Sequence, residues 1–214
     1  MPSKYIVRDF SENSYYHIYN TSFSSNSLFI DDKDYNFFKV YLFIYTRPLA
    51  EVLATHPDIP SRLHSKNLSK DIELLGYSLM PNHFHLLLKQ ISPIGVSKLM
   101  KQMANAYTLY FNQKHHKSGP LFASRFKAVK IPPDLKLLTA LIKFLHTEPT
   151  NHTSFNDYLG QQTDLPCSKA EKDKILSQFS TLTKFNDYHR NIIDAMRTAE
   201  KIQPFMIEIS RSHP

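Results

Sequence analysis

The stretch that decides the fold is Met80-Pro81-Asn82-His83-Phe84-His85-Leu86-Leu87-Leu88, where two histidines flank one aromatic residue and a run of leucines follows. Successive side chains of a β-strand point to opposite faces, so the two imidazoles share one face while Phe84 points to the other. Imidazole suits Mn, Co, Ni or Zn, and Mg accepts it where waters and carboxamide or carboxylate oxygens complete the shell. The pair is therefore a candidate ligand pair for a divalent cation, although His-x-His also occurs as a partly buried pair without metal.

The flanking sequence predicts a mixture of strands and helices. Residues 74–79 and 84–89 have strand patterns joined by Met80-Pro81-Asn82, which predicts an antiparallel pair with the histidines near the turn. The other predicted elements are strands at residues 15–19 and 126–131, helices at residues 32–45, 96–112, 134–148, 171–179 and 188–201, and a loop at residues 55–70.

Length and composition limit the class of protein. A chain of 214 residues with 42% apolar residues can form one domain with an extension. Cys167 is the only cysteine, so no intrachain disulfide can form and a reducing compartment is expected. No stretch approaches the roughly 18 apolar residues of a membrane span, and residues 1–20 lack the apolar core of a signal peptide. We expect a cytoplasmic protein with no membrane partner.

The net charge of +7 is distributed unevenly along the chain. Residues 74–133 contain no Asp or Glu, and their basic residues alternate with aromatic ones. Cations that neutralise phosphates beside rings that stack on bases are typical of nucleic-acid binding, especially to single strands or hairpins. A solvated basic face on an unrelated enzyme is the alternative. The candidate DNA-binding residues are Lys98, Lys101, Lys114, Arg125, Lys127 and Lys130.

Seven segments of the sequence are informative in combination: YHIYN (16–20), LFIDDKDY (28–35), LMPNHFHLLLK (79–89), SKLMKQMANAYTLYFN (97–112), SGPLFASRFKAVKI (118–131), LLTALIKFLHTEP (137–149) and SFNDYLG (154–160). MPNHFHLL followed by GPLF..RFK in this order is more specific than either motif alone. Together the segments resemble one known family, the REP-associated tyrosine transposases of the single-tyrosine HUH transposase group.

The resemblance implies an α+β fold, in which a ferredoxin-like HUH domain has an antiparallel sheet flanked by helices. It implies a transposase-like DNA-binding and catalytic domain at residues 1–150 and a helical C-terminal extension at residues 151–214. The implied partner is hairpin or single-stranded DNA, with a homodimer as a further possibility. The implied cofactor is a divalent metal, Mg or Mn.

The family's reaction assigns roles to individual residues. A tyrosine attacks a phosphodiester to give a 5′-phosphotyrosine, while a metal held by two histidines polarises the phosphate. By resemblance, His83 and His85 are the metal ligands. The family's nucleophile lies in a pattern like R-Y-I-x-L-N-P, which corresponds here to KFLHTEP (143–149). Phe144 therefore occupies the tyrosine position, and Glu148, four residues later on the expected helix, becomes the predicted third metal ligand.

Phe144 decides how much of the family's activity to expect. Phenylalanine has no hydroxyl, so we expect a transposase-family DNA-binding protein whose strand cleavage and joining are impaired. One alternative is an active transposase or nickase that uses Tyr107, Tyr110, Tyr158 or a metal-bound water. Another is a DNA-binding repressor without catalysis.

Four further features accompany this reading. The family's N-R-G turn after the first strand is replaced by residues 20–26, NTSFSSN, which lack its arginine and glycine. We expect His17 to bond a backbone carbonyl rather than to point toward the metal pocket from a neighbouring strand. We expect the pair at residues 115–116 to be solvated or to contact phosphate rather than to bind a metal. Arg125 and Lys127 are two apart on a predicted strand, so we expect them to face the same side.

Overall fold

The computed structural model describes residues 9–23 and 27–191 and contains a four-stranded antiparallel sheet in the order β2-β3-β1-β4. The strands are β1 (Ser14–Thr21), β2 (Ile72–Met80), β3 (His83–Gln90) and β4 (Lys127–Ile131). The helices are α1 (Asp32–Thr46), α2 (Leu49–Thr55), α3 (Ser61–His64), α4 (Gly95–Lys114), α5 (Leu135–Thr147), α6 (Phe155–Tyr158), α7 (Lys169–Leu176) and α8 (Leu182–Arg190).

Aspartates set the beginnings of helices α1 and α5. Asp31 and Asp34 form a capping box at the start of α1, in which each side chain accepts the backbone N–H of the other. The Asp134 carboxylate accepts the N–H of Leu137 and so caps α5. Both starts agree with the sequence prediction because the signal is local.

The succession β1-α1-β2-β3-α4-β4 with this strand order is the ferredoxin-like arrangement. Helices α1 and α4 cover one face of the sheet, where the rings of Phe38 and Phe84 lie 5.2 Å apart. Helix α5 covers the other face, where Phe144 contacts His85. The predicted α+β class is confirmed, and the alternation along β3 assigns Phe84 and His85 to opposite faces.

Some element boundaries differ from the sequence prediction. The predicted loop at residues 55–70 contains α3, a single turn that follows Pro60 and buries Leu63. The predicted helix at residues 188–201 is wrong in its start, because α8 begins at Leu182 after the cap Thr181. Its residues from 192 onward lie outside the described residues, as do residues 24–26 of the altered turn.

Residues after 150 pack back onto β2. Thr153 forms a bridge with Ser78, the Tyr158 hydroxyl donates to the carbonyl of Leu75, and the Ser168 N–H donates to the carbonyl of Leu74. The edge strand is thereby covered, which removes its open hydrogen-bonding groups. In the described ranges, no helix combines the length and apolar character needed to cross a bilayer.

Candidate functional site

The two histidines begin β3 directly after a tight turn. Met80 pairs with His83 across this turn, which leaves Pro81 and Asn82 as its two central residues. The Pro81 carbonyl accepts the N–H groups of Leu28 and Phe29, and the Asn82 carbonyl accepts that of Ser22. These bonds fix the turn against the segment that precedes α1. The histidine end of β3 is therefore held rigidly.

His83 and His85 lie on the same face, as the strand alternation requires, with ring centroids 5.1 Å apart and ring planes at 81°. His83 is partly exposed, and its Nδ1 lies 2.7 Å from Asn82 Oδ1. A carboxamide oxygen only accepts hydrogen bonds, so a neutral His83 donates from Nδ1 and carries its lone pair on Nε2. This is the tautomer that a metal ligand needs.

His85 is fully buried and has one engaged and one orphaned nitrogen. Its Nδ1 lies 3.0 Å from His17 Nε2, whereas its Nε2 has no hydrogen-bond partner among the described residues. Burial lowers the pKa of His85 well below its usual value, and the neighbouring His17 and His83 lower it further. A neutral imidazole that donates from Nδ1 to His17 presents the lone pair of its orphaned Nε2. His17 therefore points toward the ligand pair from the neighbouring strand β1, the less expected of its two orientations.

Phe144 faces the histidines from α5. Its ring centroid lies 5.6 Å from that of His85, with the planes at 83°, so the two rings meet edge to face. The ring is partly exposed, unlike its neighbours Lys143 and Leu145 on the same helix, which are buried. The residue predicted at the nucleophile position therefore lies beside the predicted ligand pair. It has no oxygen to offer a phosphate.

Glu148 does not join the histidines as the helical spacing predicted. Helix α5 ends at Thr147, and Glu148 is its C-cap, whose ψ of 142° takes the following chain out of the helix. Within residues 9–23 and 27–191, no three His, Cys, Asp or Glu side chains form a group that could hold a metal ion. Burial raises the pKa of the Glu148 carboxyl, which forms no ion pair with any described cation. The two histidines fit a metal, and the third ligand is not assembled.

The three tyrosines considered as substitute nucleophiles lie elsewhere. Tyr107 is buried between α4 and α1, on the opposite face of the sheet, and its hydroxyl donates to the carbonyl of Leu28. Tyr110 stacks on Phe37 on that same helical side. The buried Tyr158 donates to the carbonyl of Leu75, and burial raises its pKa well above the usual value.

A fourth tyrosine, Tyr19, was missed by the sequence reasoning. It pairs with His85 across β1 and β3, and their ring centroids are 6.0 Å apart. Tyr19 is 3% exposed, and the Lys127 ammonium lies 5.5 Å from its ring centre. Side chains alternate along β1, so Tyr19 and His17 share one face, but only the strand register places that face beside His85.

The six candidate DNA-binding cations do not form one patch. Lys98 and Lys101 are exposed on α4. Arg125 precedes β4 and lines a cleft that contains Phe84, so it lies on the helix side of the sheet. Lys127 lies on the histidine side, beside the ring of Tyr19. The prediction that Arg125 and Lys127 share a side is wrong, because β4 begins only at Lys127. Lys130 is exposed and donates to Ser11 Oγ.

Lys114 and His115 are used within the fold. Lys114 lies 2.7 Å from Asp34 Oδ1 and also pairs with Asp31, and His115 Nε2 lies 3.1 Å from Asp34 Oδ2. Burial raises the pKa of Asp34, but hydrogen bonds from Lys114, Ile30 and His115 outweigh this and hold it below its usual range. The charge of Lys114 is thus balanced internally, and His115 is neither solvated nor open to phosphate.

Comparison with known proteins gives one family model that matches part of the chain. Among solved structures, the chain is similar to a REP-associated tyrosine transposase bound to a REP hairpin, with 10% identity, a TM-score of 0.43, and coverage of 76% of this chain and 90% of that one. No curated protein matches the chain. Residues 38–134, which include His83 and His85 but end before Phe144, match the family model of IS200-like transposases. The match over residues 38–134 agrees with the resemblance drawn from the sequence, and over this part the chain is similar to the IS200-like transposases.

Proposed function

We propose that this protein binds hairpin or single-stranded DNA at a histidine site built for metal-assisted strand cleavage and joining, and that the covalent step is lost. The observation that carries the proposal is the meeting of Phe144 with His85 at 5.6 Å between ring centroids. The residue in the nucleophile's place thus faces the ligand pair, and its side chain is a bare hydrocarbon ring. A phosphotyrosine link cannot form at this position.

His83 and His85 would hold the divalent cation, which when bound polarises a phosphodiester oxygen. The orphaned Nε2 of His85 is the observation that supports this assignment, because a buried lone pair without a partner costs free energy that a ligated cation recovers. The unpaired carboxylate of Glu148 is the proposed third ligand. Its side chain would have to turn toward the histidines, since the three do not form a group in this conformation.

The histidine side also contains the groups needed to receive a DNA strand. Lys127 lies beside the buried Tyr19 at this face, and a single strand that passes there would meet its ammonium near the histidines. The retention of an oriented ligand pair next to a phenylalanine favours a transposase-derived DNA-binding protein. Tyr107 and Tyr158 are poor substitutes, because both hydroxyls are buried and bonded to carbonyls.

The test is a titration of a labelled DNA hairpin with a single-stranded 5′ tail, with and without Mn²⁺, over a range of salt concentrations. We expect binding that weakens steeply as salt rises, since cations on the protein displace counterions, and no covalent protein–DNA band on denaturing gels. An affinity that is unchanged between low and physiological salt would reject the DNA-binding part. A covalent band from the unmodified chain that disappears in Tyr19→Phe would reject the proposal that the covalent step is lost.

A further inference from the structure

A groove of about 900 Å³ lies between α1, α3 and α4. These helices belong to the layer that covers the Phe84 face of the sheet, whereas His85 and Phe144 lie on the other face. Nothing in the proposed cleavage chemistry uses this groove. Its lining combines aromatic rings and cations and contains no Asp or Glu.

Three aromatic side chains form a stack along the groove. The Phe37 ring is parallel to Tyr110 at 3.8 Å and 11°, and to Tyr41 at 4.4 Å and 18°. All three residues are partly exposed rather than buried, although their rings are large. Parallel rings that reach solvent offer flat surfaces on which unpaired bases stack.

Four exposed cations surround this stack. They are Arg62 and Lys66 from the α3 segment and Lys98 and Lys101 from α4. None of them forms an ion pair with a described carboxylate, in contrast to Lys114 at the end of α4. Their charge therefore remains available for an anionic ligand.

We propose that this groove is a second binding site, and that its ligand is single-stranded nucleic acid. Rings that stack on bases and cations that neutralise phosphates match the two repeating parts of such a strand. A duplex offers the phosphates but no unpaired bases for the rings, because its bases are already stacked on one another. The site needs neither the histidines nor a metal, so it goes beyond the function proposed above.

The sequence has no tryptophan, which allows a clean optical test. Leu109 lines the groove and is 70% exposed, so Leu109→Trp places a single fluorophore beside the ring stack. Leu182→Trp, at a 49% exposed position at the start of α8, is the matched control. We expect an oligothymidylate of about a dozen nucleotides to quench the first protein saturably and to leave the second unchanged.

Further variants in the Leu109→Trp background separate charge, stacking and site. Lys98→Ala with Lys101→Ala should weaken oligothymidylate binding at least tenfold, and Phe37→Leu, which keeps apolar volume but removes the central ring, should also weaken it. With four phosphate contacts on a single strand, the logarithm of the binding constant should fall against the logarithm of the salt concentration with a slope of about −3. His85→Ala should leave the quenching curve in place.

Three results would overturn the inference. One is the absence of saturable quenching in a folded Leu109→Trp protein. Another is quenching of equal strength by a duplex of the same length, since the stacked rings would then play no part. The third is loss of quenching in His85→Ala with no effect of the Lys98 and Lys101 changes, because the strand would then bind at the histidine face. The quenching measurements remain decisive even if the hairpin or the metal does not bind, because neither takes part in the groove experiment.

Discussion

Phe84 and His85 are neighbours in sequence, but they belong to two faces of the sheet with different physical characters. The helix face supports an open groove with exposed cations and partly exposed rings. The histidine face is closed by α5 and contains buried imidazoles, one of them with an orphaned nitrogen. The proposed groove and the proposed metal site therefore differ in their chemistry, and variants in the groove should weaken oligothymidylate binding without changing Mn²⁺ affinity.

The largest effect should come from His85→Ala. It removes the buried lone pair proposed to bind metal, so Mn²⁺ affinity should fall by roughly 100-fold or more, on the order of 3 kcal/mol. Mn²⁺ binding can be followed by electron paramagnetic resonance of the free ion. His116→Asn is the control, because His116 is exposed and asparagine tolerates its positive φ of 52°. Equal loss in both variants, or no Mn²⁺ uptake by the unmodified protein, would contradict the histidine site.

A second prediction distinguishes two lysines of α4. Lys114→Ala leaves the buried carboxylate of Asp34 without its closest cation and should lower the free energy of unfolding by about 2 kcal/mol. The exposed Lys101→Ala should change it by less than about 0.5 kcal/mol. Urea denaturation measures both values. Similar small losses in the two variants would show that Lys114 is a surface cation after all.

Acid should weaken the attachment of α8 to α5. His146 Nδ1 lies 3.2 Å from His189 Nε2, and burial lowers the pKa of both residues, of His189 to about 4. Between pH 6.5 and 4 the unfolded chain therefore takes up protons that the folded chain does not, so stability falls as the pH falls through this window. Between pH 6.5 and 4, the free energy of unfolding should fall by roughly 1–2 kcal/mol less in His189→Gln than in the unmodified protein. His116→Asn should not reduce this fall. An unchanged slope in His189→Gln would reject this pair as the cause.

The smallest predicted effect concerns His17, which orients His85 through its Nε2. His17→Phe keeps a ring of similar size but removes the bonding nitrogen. Mn²⁺ affinity should fall by about tenfold, the lower end of the effect of a residue that positions a ligand. His17→Gln, which keeps a hydrogen-bonding group, should recover part of the loss. A wild-type affinity in His17→Phe would show that packing alone holds His85 in place.

The sequence predicted the parts of this molecule that rest on local signals. The caps at Asp31 and Asp134 fix the helix starts, and the alternation in β3 assigns both histidines to one face. Phe144 was placed beside them through the family resemblance, and the contact with His85 agrees with that placement.

What the sequence missed depends on contacts between distant residues. Tyr19 reaches His85 only through the register of β1 against β3, which no local pattern reveals. The same pairing turns His17 toward His85, an orientation that the sequence allowed but did not favour. Lys114 looked like a DNA contact because its partners, Asp31 and Asp34, are about 80 residues earlier in the chain. Glu148 is the C-cap of α5, directly before Pro149, and it forms no three-ligand group with the histidines among the described residues.

The central claim, that Phe144 removes the hydroxyl on which the covalent step depends, is tested most directly by Phe144→Tyr. The change adds one oxygen to a ring already in contact with His85. The measurement is the fraction of a tailed DNA hairpin that becomes covalently attached to the protein in the presence of Mn²⁺, with Phe144→Leu as the matched control. We predict no adduct for the unmodified chain, an adduct for Phe144→Tyr, and its loss when His83 or His85 is also changed to alanine. A covalent adduct formed by the unmodified chain, or one formed by Phe144→Tyr without the histidines, would contradict the claim.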